Sequence, residues 1–231
     1  MLILSIDTTT RGCSVAVHQD NTLVASYDLL TDRSSSAMLT TLMKNAVEHA
    51  GFSLEALDAV AVAKGPGSYT GLRVGVSTAK GLCYALDKPL IAISSLEALT
   101  TQTTAFYPND FLFCPMIDAR RMEVFAAVYN SDLELILPTQ AVIIDTDSFG
   151  ELLQERSVVF FGDGAAKCKP ILGSHPNAFF PGQAIEPSAR TVGVLATKAY
   201  ASAQFEDLAS FEPYYLKDFI GTKPRNRIVN P

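Results

Sequence analysis

The chain opens with short apolar runs divided by polar turns, and then changes period. Residues 2–7 form an apolar run that ends in Asp7, and Thr8, Thr9, Thr10, Arg11 and Gly12 make a polar turn after it. Apolar runs at 13–18 and 23–30 follow, split by Gln19, Asp20 and Asn21. Three strands with short links predict an antiparallel meander. Ser34, Ser35 and Ser36 supply N-cap chemistry for the helix that comes next. In that helix Leu39, Leu42, Met43, Ala46, Val47 and Ala50 recur at the 3.6-residue period, and Gly51 closes it. A strand is predicted at 58–63, where Asp58 leads an apolar run from Ala59 to Ala63, the pattern of a strand buried on both faces. A second such strand is predicted at 88–94 and a helix at 95–104.

The second half repeats this outline. Residues 111–118 read as a strand ending in an acid, Asp118, with Ala119, Arg120 and Arg121 as the turn and 122–129 as the partner strand. A strand at 133–137, a helix near 147–156, a strand at 158–161, the turn Gly162-Asp163-Gly164 and another helix come next. Residues 179–187 read as a loop and 188–205 as a late helix. Three antiparallel strands followed by helix, strand, helix, strand, helix is the order of a ribonuclease-H-like lobe, the half-unit of actin-like ATPases and sugar kinases. The expected fold is therefore α/β, with two ribonuclease-H-like (actin-like ATPase) lobes, the second smaller and less regular. The first lobe is placed at 1–104. The second, degenerate lobe is placed at 105–231, with the helix near 188–205 positioned to pack back across the lobes and a basic tail carrying Lys217, Lys223, Arg225 and Arg227.

One stretch departs from ordinary helical composition. After the turn Gly65-Pro66-Gly67 and the cluster Ser68-Tyr69-Thr70, small residues recur every four positions in two rows. One row is Gly71, Gly75, Ala79 and Cys83; the other is Ser77, Gly81 and Ala85. Residues four apart share a helix face. A helix-interior glycine costs about 1 kcal/mol against alanine, so each row calls for a close neighbour. One row suits packing on the chain's own sheet, and two rows suggest a second neighbour outside the chain.

Composition narrows the setting. The 231 residues are 48% hydrophobic, with a mean hydropathy of +0.20, enough for a sizeable core. No run approaches the ~18 apolar residues of a membrane span, and the first residues read as a strand rather than a secretory signal. The four cysteines, Cys13, Cys83, Cys114 and Cys168, are scattered and sit among apolar residues, which suggests reduced, buried thiols and a cytoplasmic protein. A net charge of −6 argues against this chain gripping a nucleic-acid backbone alone.

Candidate chemistry is sparse. In actin-like ATPases, turns after strand-end acids cradle phosphates, and Asp7, Thr8, Thr9 and Gly12, with Asp118 and Arg120, stand in those places. The alternative is that both turns are kept for hairpin geometry. The histidines are His18, His49 and His175, and no two stand at the i, i+4 spacing of a helical metal pair. The GPGSYTG segment is not a G-x-S-x-G nucleophile elbow, and no base is evident for Ser68.

The segments DTTTRGCSVAV, GPGSYTGLRVGVSTAKGL, ISSLEAL, DARRMEVFAAVY, GDGAAK and EPYYLKD, in this order, together resemble the TsaB (YeaZ) family. The resemblance spans essentially the whole chain. It implies a degenerate relative of TsaD, the metal-binding subunit that transfers threonylcarbamoyl to adenosine 37 of tRNAs reading codons that begin with A. It further implies a non-catalytic subunit that binds and activates TsaD and works with the ATPase TsaE, while TsaC makes threonylcarbamoyl-AMP. TsaD carries an H-x-x-x-H pair where this chain has Ser95 and Leu99, so no metal and no catalytic residue are expected here. Many members have His-Ser at the first helix cap, where this chain has Ser35 and Ser36. No cofactor is expected, with ATP or ADP only at an interface shared with TsaD, and tRNA is met only through the complex. The reading that stays open beside this is an ATP-binding kinase or ATPase acting on its own. A peptidase, suggested by the older glycoprotease label of the superfamily, finds no nucleophile, base or metal ligands. The expected partner interface joins the two helices through Met38, Leu39, Leu42, Met43, Ala46, Leu72, Val76, Ala79 and Cys83. TsaD is expected there, and a homodimer through the same patch in its absence.

Overall fold

The computed structural model describes residues 1–31 and 35–217; the expected cap at Ser34, Ser35 and Ser36, and the basic residues Lys223, Arg225 and Arg227, lie outside the described residues and side chains. Strand β1 (Leu2–Asp7) is buried along its whole length and pairs antiparallel with β2 (Cys13–Gln19), which pairs with β3 (Thr22–Leu29). After helix α1 (Ser35–His49), strand β4 (Ala59–Gly65) runs parallel to β1. Helix α2 (Tyr69–Leu86) then leads to β5 (Leu90–Ser94), parallel to β4, and to helix α3 (Ser95–Thr101). The sheet order is β3-β2-β1-β4-β5.

Alternation along the strands divides the core. Leu2, Leu4 and Ile6, with Val15, Val17, Val60 and Val62, meet Leu39, Met43, Ala46 and Val47 of α1 and Val76, Ala79 and Cys83 of α2. Ile3, with Ala59, Ala61, Ala63, Ile91 and Ile93, faces the opposite way. The uninterrupted apolar runs are thus strands covered on both faces, as their composition implies. Helix α1 stops where Gly51 takes φ +85°, and its amide bonds the Glu48 carbonyl at 3.0 Å.

The second sheet repeats the plan. β6 (Leu112–Asp118) pairs antiparallel with β7 (Glu123–Tyr129), and β7 with β8 (Leu135–Ile143). Helix α4 (Gly150–Glu155), strand β9 (Val158–Phe161) parallel to β6, helix α5 (Ala165–Leu172) and the short β10 (Ala178–Phe179) complete it, in the order β10-β9-β6-β7-β8. Asp7 and Asp118 end the equivalent strands of the two sheets. Helices α4 and α5 have 6 and 8 residues where α1 and α2 have 15 and 18, which makes this lobe the less regular one.

Helix α3 joins the lobes. Its Ala98 packs with the first sheet, while Leu96 and Leu99 pack with Phe113, Ile117, Val159 and Phe161 of the second. The last helix, α6 (Ala189–Ala201), lays Val192, Leu195 and Ala196 on the free face of the first sheet. Although it follows the second sheet in the chain, the helix expected near 188–205 to pack back across the lobes lies on the first sheet. The strand expected at 133–137 starts two residues later, at Leu135, and continues through Pro138 to Ile143. A proline lacks the amide that a central ladder needs, but β8 is an edge strand, where none is needed.

Candidate functional site

The first acid turn is closed by the chain itself. Asp7 is 3% exposed, and its Oδ1 accepts from the Thr9 amide at 2.9 Å and the Thr9 hydroxyl at 2.6 Å. Its Oδ2 is buried with no partner among the described residues, and burial pushes the carboxyl up to about 6, against the pull of the Thr9 hydrogen bonds. The Thr8 hydroxyl donates to the Gly71 carbonyl at 2.8 Å, and the Thr9 carbonyl accepts from the Ser68 amide at 2.7 Å. Thr8 and Thr9 are each 1% exposed, so neither hydroxyl is offered to a phosphate. Gly12 has a packing reason of its own: a Cβ there would stand 2.5 Å from the Leu29 carbonyl oxygen. Asp7, Thr8, Thr9 and Gly12 come together in a hairpin turn whose two threonine hydroxyls are bonded within the chain.

The second acid turn is open and ion-paired. The Asp118 Oδ1 accepts from the Arg120 amide at 2.9 Å and pairs with the Lys167 ammonium. Lys167 also donates to the Glu123 carbonyl at 2.7 Å. Arg120 is exposed with φ +70°. Asp163, from the Gly162-Asp163-Gly164 turn, accepts from the Asp118 amide at 3.0 Å, and burial raises its carboxyl to about 6. Lys167 lies in the segment GDGAAK, and nothing in its spacing points to Asp118.

The two small-residue rows of α2 meet different surroundings. Cβ atoms at Gly71 and Gly75 would run into the Thr8 carbonyl and hydroxyl oxygens. The row Gly71, Gly75, Ala79 and Cys83 is therefore the one on the chain's own sheet and turn. The row Ser77, Gly81 and Ala85 is exposed, Tyr84 beside it is 85% exposed, and a Cβ at Gly81 would meet nothing within 4 Å.

Burial corrects most of the side chains assigned to the partner interface. Leu39, Met43 and Ala46 on α1, and Leu72, Val76, Ala79 and Cys83 on α2, are all 4% exposed or less and form the first lobe's core. The periodicity that selected them marks the inward face of each helix, because the sheet is the larger apolar surface to cover. Of that set Met38 is exposed and Leu42 half-buried. The pair exposes instead Met38 and Thr41 on α1 and Ser77, Gly81 and Ala85 on α2, with Leu42, Asn45 and Val74 half-buried.

The positions of the missing histidine pair have other work. Ser95 is fully buried and its Oγ accepts from the Gly65 amide at 3.0 Å, while Leu99 is buried between the lobes. Among the described residues, no three His, Cys, Asp or Glu side chains gather closely enough to hold a metal ion.

Two linked lobes on one plan, each with an acid at the end of its central strand, define a protein of the actin-like ATPase fold. Solved structures agree with this: YeaZ from Pseudomonas aeruginosa superposes with a TM-score of 0.77 at 24% identity, over 93% of this chain and 99% of that one. The activator of 2-hydroxyisocaproyl-CoA dehydratase from Clostridium difficile, solved with ADPNP, gives 0.52 at 10% identity over 88% and 97%. In sequence, the model of the TsaD family, tRNA N6-adenosine threonylcarbamoyltransferase, matches residues 29–221. The tRNA threonylcarbamoyladenosine biosynthesis protein TsaB of Escherichia coli is 30% identical over 96% of this chain and 97% of its own length. That of Bacillus subtilis is 34% identical over 74% and 75%. The chain belongs to this family, and within it to TsaB (YeaZ).

Proposed function

We propose that this chain takes part in threonylcarbamoyladenosine synthesis on tRNA as a non-catalytic subunit that binds and activates TsaD. The observation that carries the proposal is the outward row Ser77, Gly81 and Ala85, a shallow, exposed helix face where a Cβ on Gly81 would meet nothing within 4 Å. Kinship supports TsaD as the occupant: a homologous subunit has the same two helices to lay against it, by ridges-into-grooves packing. The same face serves a homodimer when TsaD is absent, so the two associations exclude each other. Ser95 and Leu99, both committed to packing, support the absence of transfer chemistry. TsaE joins the complex, tRNA is met only there, nucleotide is engaged only at a face shared with TsaD, and the setting is the cytoplasm.

The test uses substitutions at exposed positions, so that the fold survives. Ser77→Arg and Gly81→Arg place an unpaired charge in the contact, which costs about 3 kcal/mol or more when buried, or roughly a hundredfold in affinity. Titration calorimetry against TsaD, and sedimentation of the chain alone, are expected to show both associations lost. Unchanged affinity for TsaD in a folded variant would place the contact elsewhere. Turnover of ATP·Mg by the isolated chain would favour an enzyme acting on its own.

A further inference from the structure

The segment EPYYLKD fits none of the roles above, yet its described part, residues 212–217, runs with the preceding Phe211 from one lobe to the other. It starts on the first lobe, where Phe211 and Leu208 pack against the first core and the Phe211 carbonyl accepts from the Lys80 ammonium at 2.8 Å. Pro213 has no amide to satisfy. Tyr214 donates its amide to the Lys64 carbonyl at 2.7 Å, at the end of β4. Its own carbonyl lies where a Cβ on Gly65 would come within 2.7 Å, so the glycine admits the segment. The Tyr215 ring rests on Tyr69 of α2, with centroids 4.9 Å apart. Leu216 then packs on the cluster of Leu96, Leu99, Ile117 and Phe125, and Lys217 pairs with Glu123 at the start of β7. Glu123 offers its carbonyl to Lys167, the partner of Asp118. Four residues, Tyr214 to Lys217, thus run from the Gly-Pro-Gly turn that closes over Thr9 to the neighbourhood of the second acid.

We propose that residues 211–217 are a strap that holds the two lobes at one relative orientation. Two-lobed proteins of hinge type close around ligands by rotation at a few connecting residues. Here the connections through α3 and into α6 are backed by a further link on which apolar burial, a backbone hydrogen bond and an ion pair all converge. The lobes therefore move as one body, and the faces they present to a partner are set before it arrives.

The test is the distance between lobes in the full chain. Spin labels at Lys44→Cys on α1 and Glu151→Cys on α4, both exposed sites, are read by double electron–electron resonance; the native cysteines are buried. The parent gives one narrow distribution. The double variant L216D/K217E is expected to roughly double its width, as a released hinge would. Exchange of the Tyr214 amide is expected to speed up about tenfold or more, as for a locally opened segment. Should L216D fail to fold by circular dichroism, Y214P with K217E, which alters only half-exposed sites, repeats the measurement. An unchanged distribution in a folded variant overturns the strap, and so does a Tyr214 amide in the parent that exchanges as fast as an unstructured one.

Discussion

Asp7 is a carboxylate whose surroundings disfavour its charge. Folding removes it from water, and the two Thr9 hydrogen bonds return only part of that loss, so its pKa stands at about 6 against 3.8 for the free side chain. A raised carboxyl takes up a proton on folding. Its contribution is therefore fully present below 3.8 and is lost as pH rises through about 6. The gap between 3.8 and about 6 sets a ceiling on the order of 3 kcal/mol. Asp7→Asn keeps an oxygen for Thr9 and removes the charge. It is expected to raise the melting temperature at pH 8 and to lose that advantage toward pH 4. A melting temperature at pH 8 no higher than the parent's would count against this account. His18 works in the other direction. Buried where a Cβ on Gly193 would overlap its ring, its imidazole is held below 6.5, so that share of stability is lost as pH falls below 6.5. The comparison at fixed pH between D7N and parent separates the two.

Within α2, one residue type meets opposite fates. Glycine in a helix is normally improved by alanine, by about 1 kcal/mol. At Gly81 nothing within the chain obstructs the methyl, so Gly81→Ala is expected to stabilise the monomer by about that amount in urea unfolding at low protein concentration. At Gly71 the methyl meets the Thr8 carbonyl, a backbone group in a buried turn that cannot rotate away. Gly71→Ala is expected to destabilise by about 2 kcal/mol, of the kind overpacking produces. Equal effects at the two sites would mean that the turn does not dock on α2 as described. The helix face was legible as two small rows, but their assignment was not, since a period of four states which residues line up and not what stands opposite.

At the scale of the molecule, the lobes share a seam. Leu96 and Leu99 lie in a cluster made mostly by the second sheet, although α3 follows directly from the first. Separating the lobes would expose both residues to water, so the two are expected to unfold together. The cysteines report this without added labels: Cys13 and Cys83 are buried in the first core, Cys114 and Cys168 in the second. Burial raises all four thiols, which suppresses the reactive thiolate. In a urea series with a thiol reagent, all four are expected to become reactive over a single transition. Labelling of Cys114 and Cys168 well before Cys13 and Cys83 would show that the second lobe opens by itself.

Local order in this chain is set by local pattern. The continuous apolar runs around β1, β4 and β9, the helical period of α1 and the turn residues between the first strands specify elements and their sequence, and the twofold repeat of that order specifies two lobes. Those signals are carried by neighbours within a few residues of one another. What the chain does with its polar groups depends on distant partners. Lys167 meets Asp118 across 49 positions, Ala189 meets Ser14 across 175, and Tyr214 meets Lys64 from the far end of the chain. The place of α6 on the first sheet, the sealing of Thr8 and Thr9, and the inward turn of Leu39, Met43, Val76 and Cys83 follow from that assembly. A helix shows its apolar face in its sequence, but whether the face meets a sheet of its own chain or a partner is decided by the free energy of the whole packed lobe.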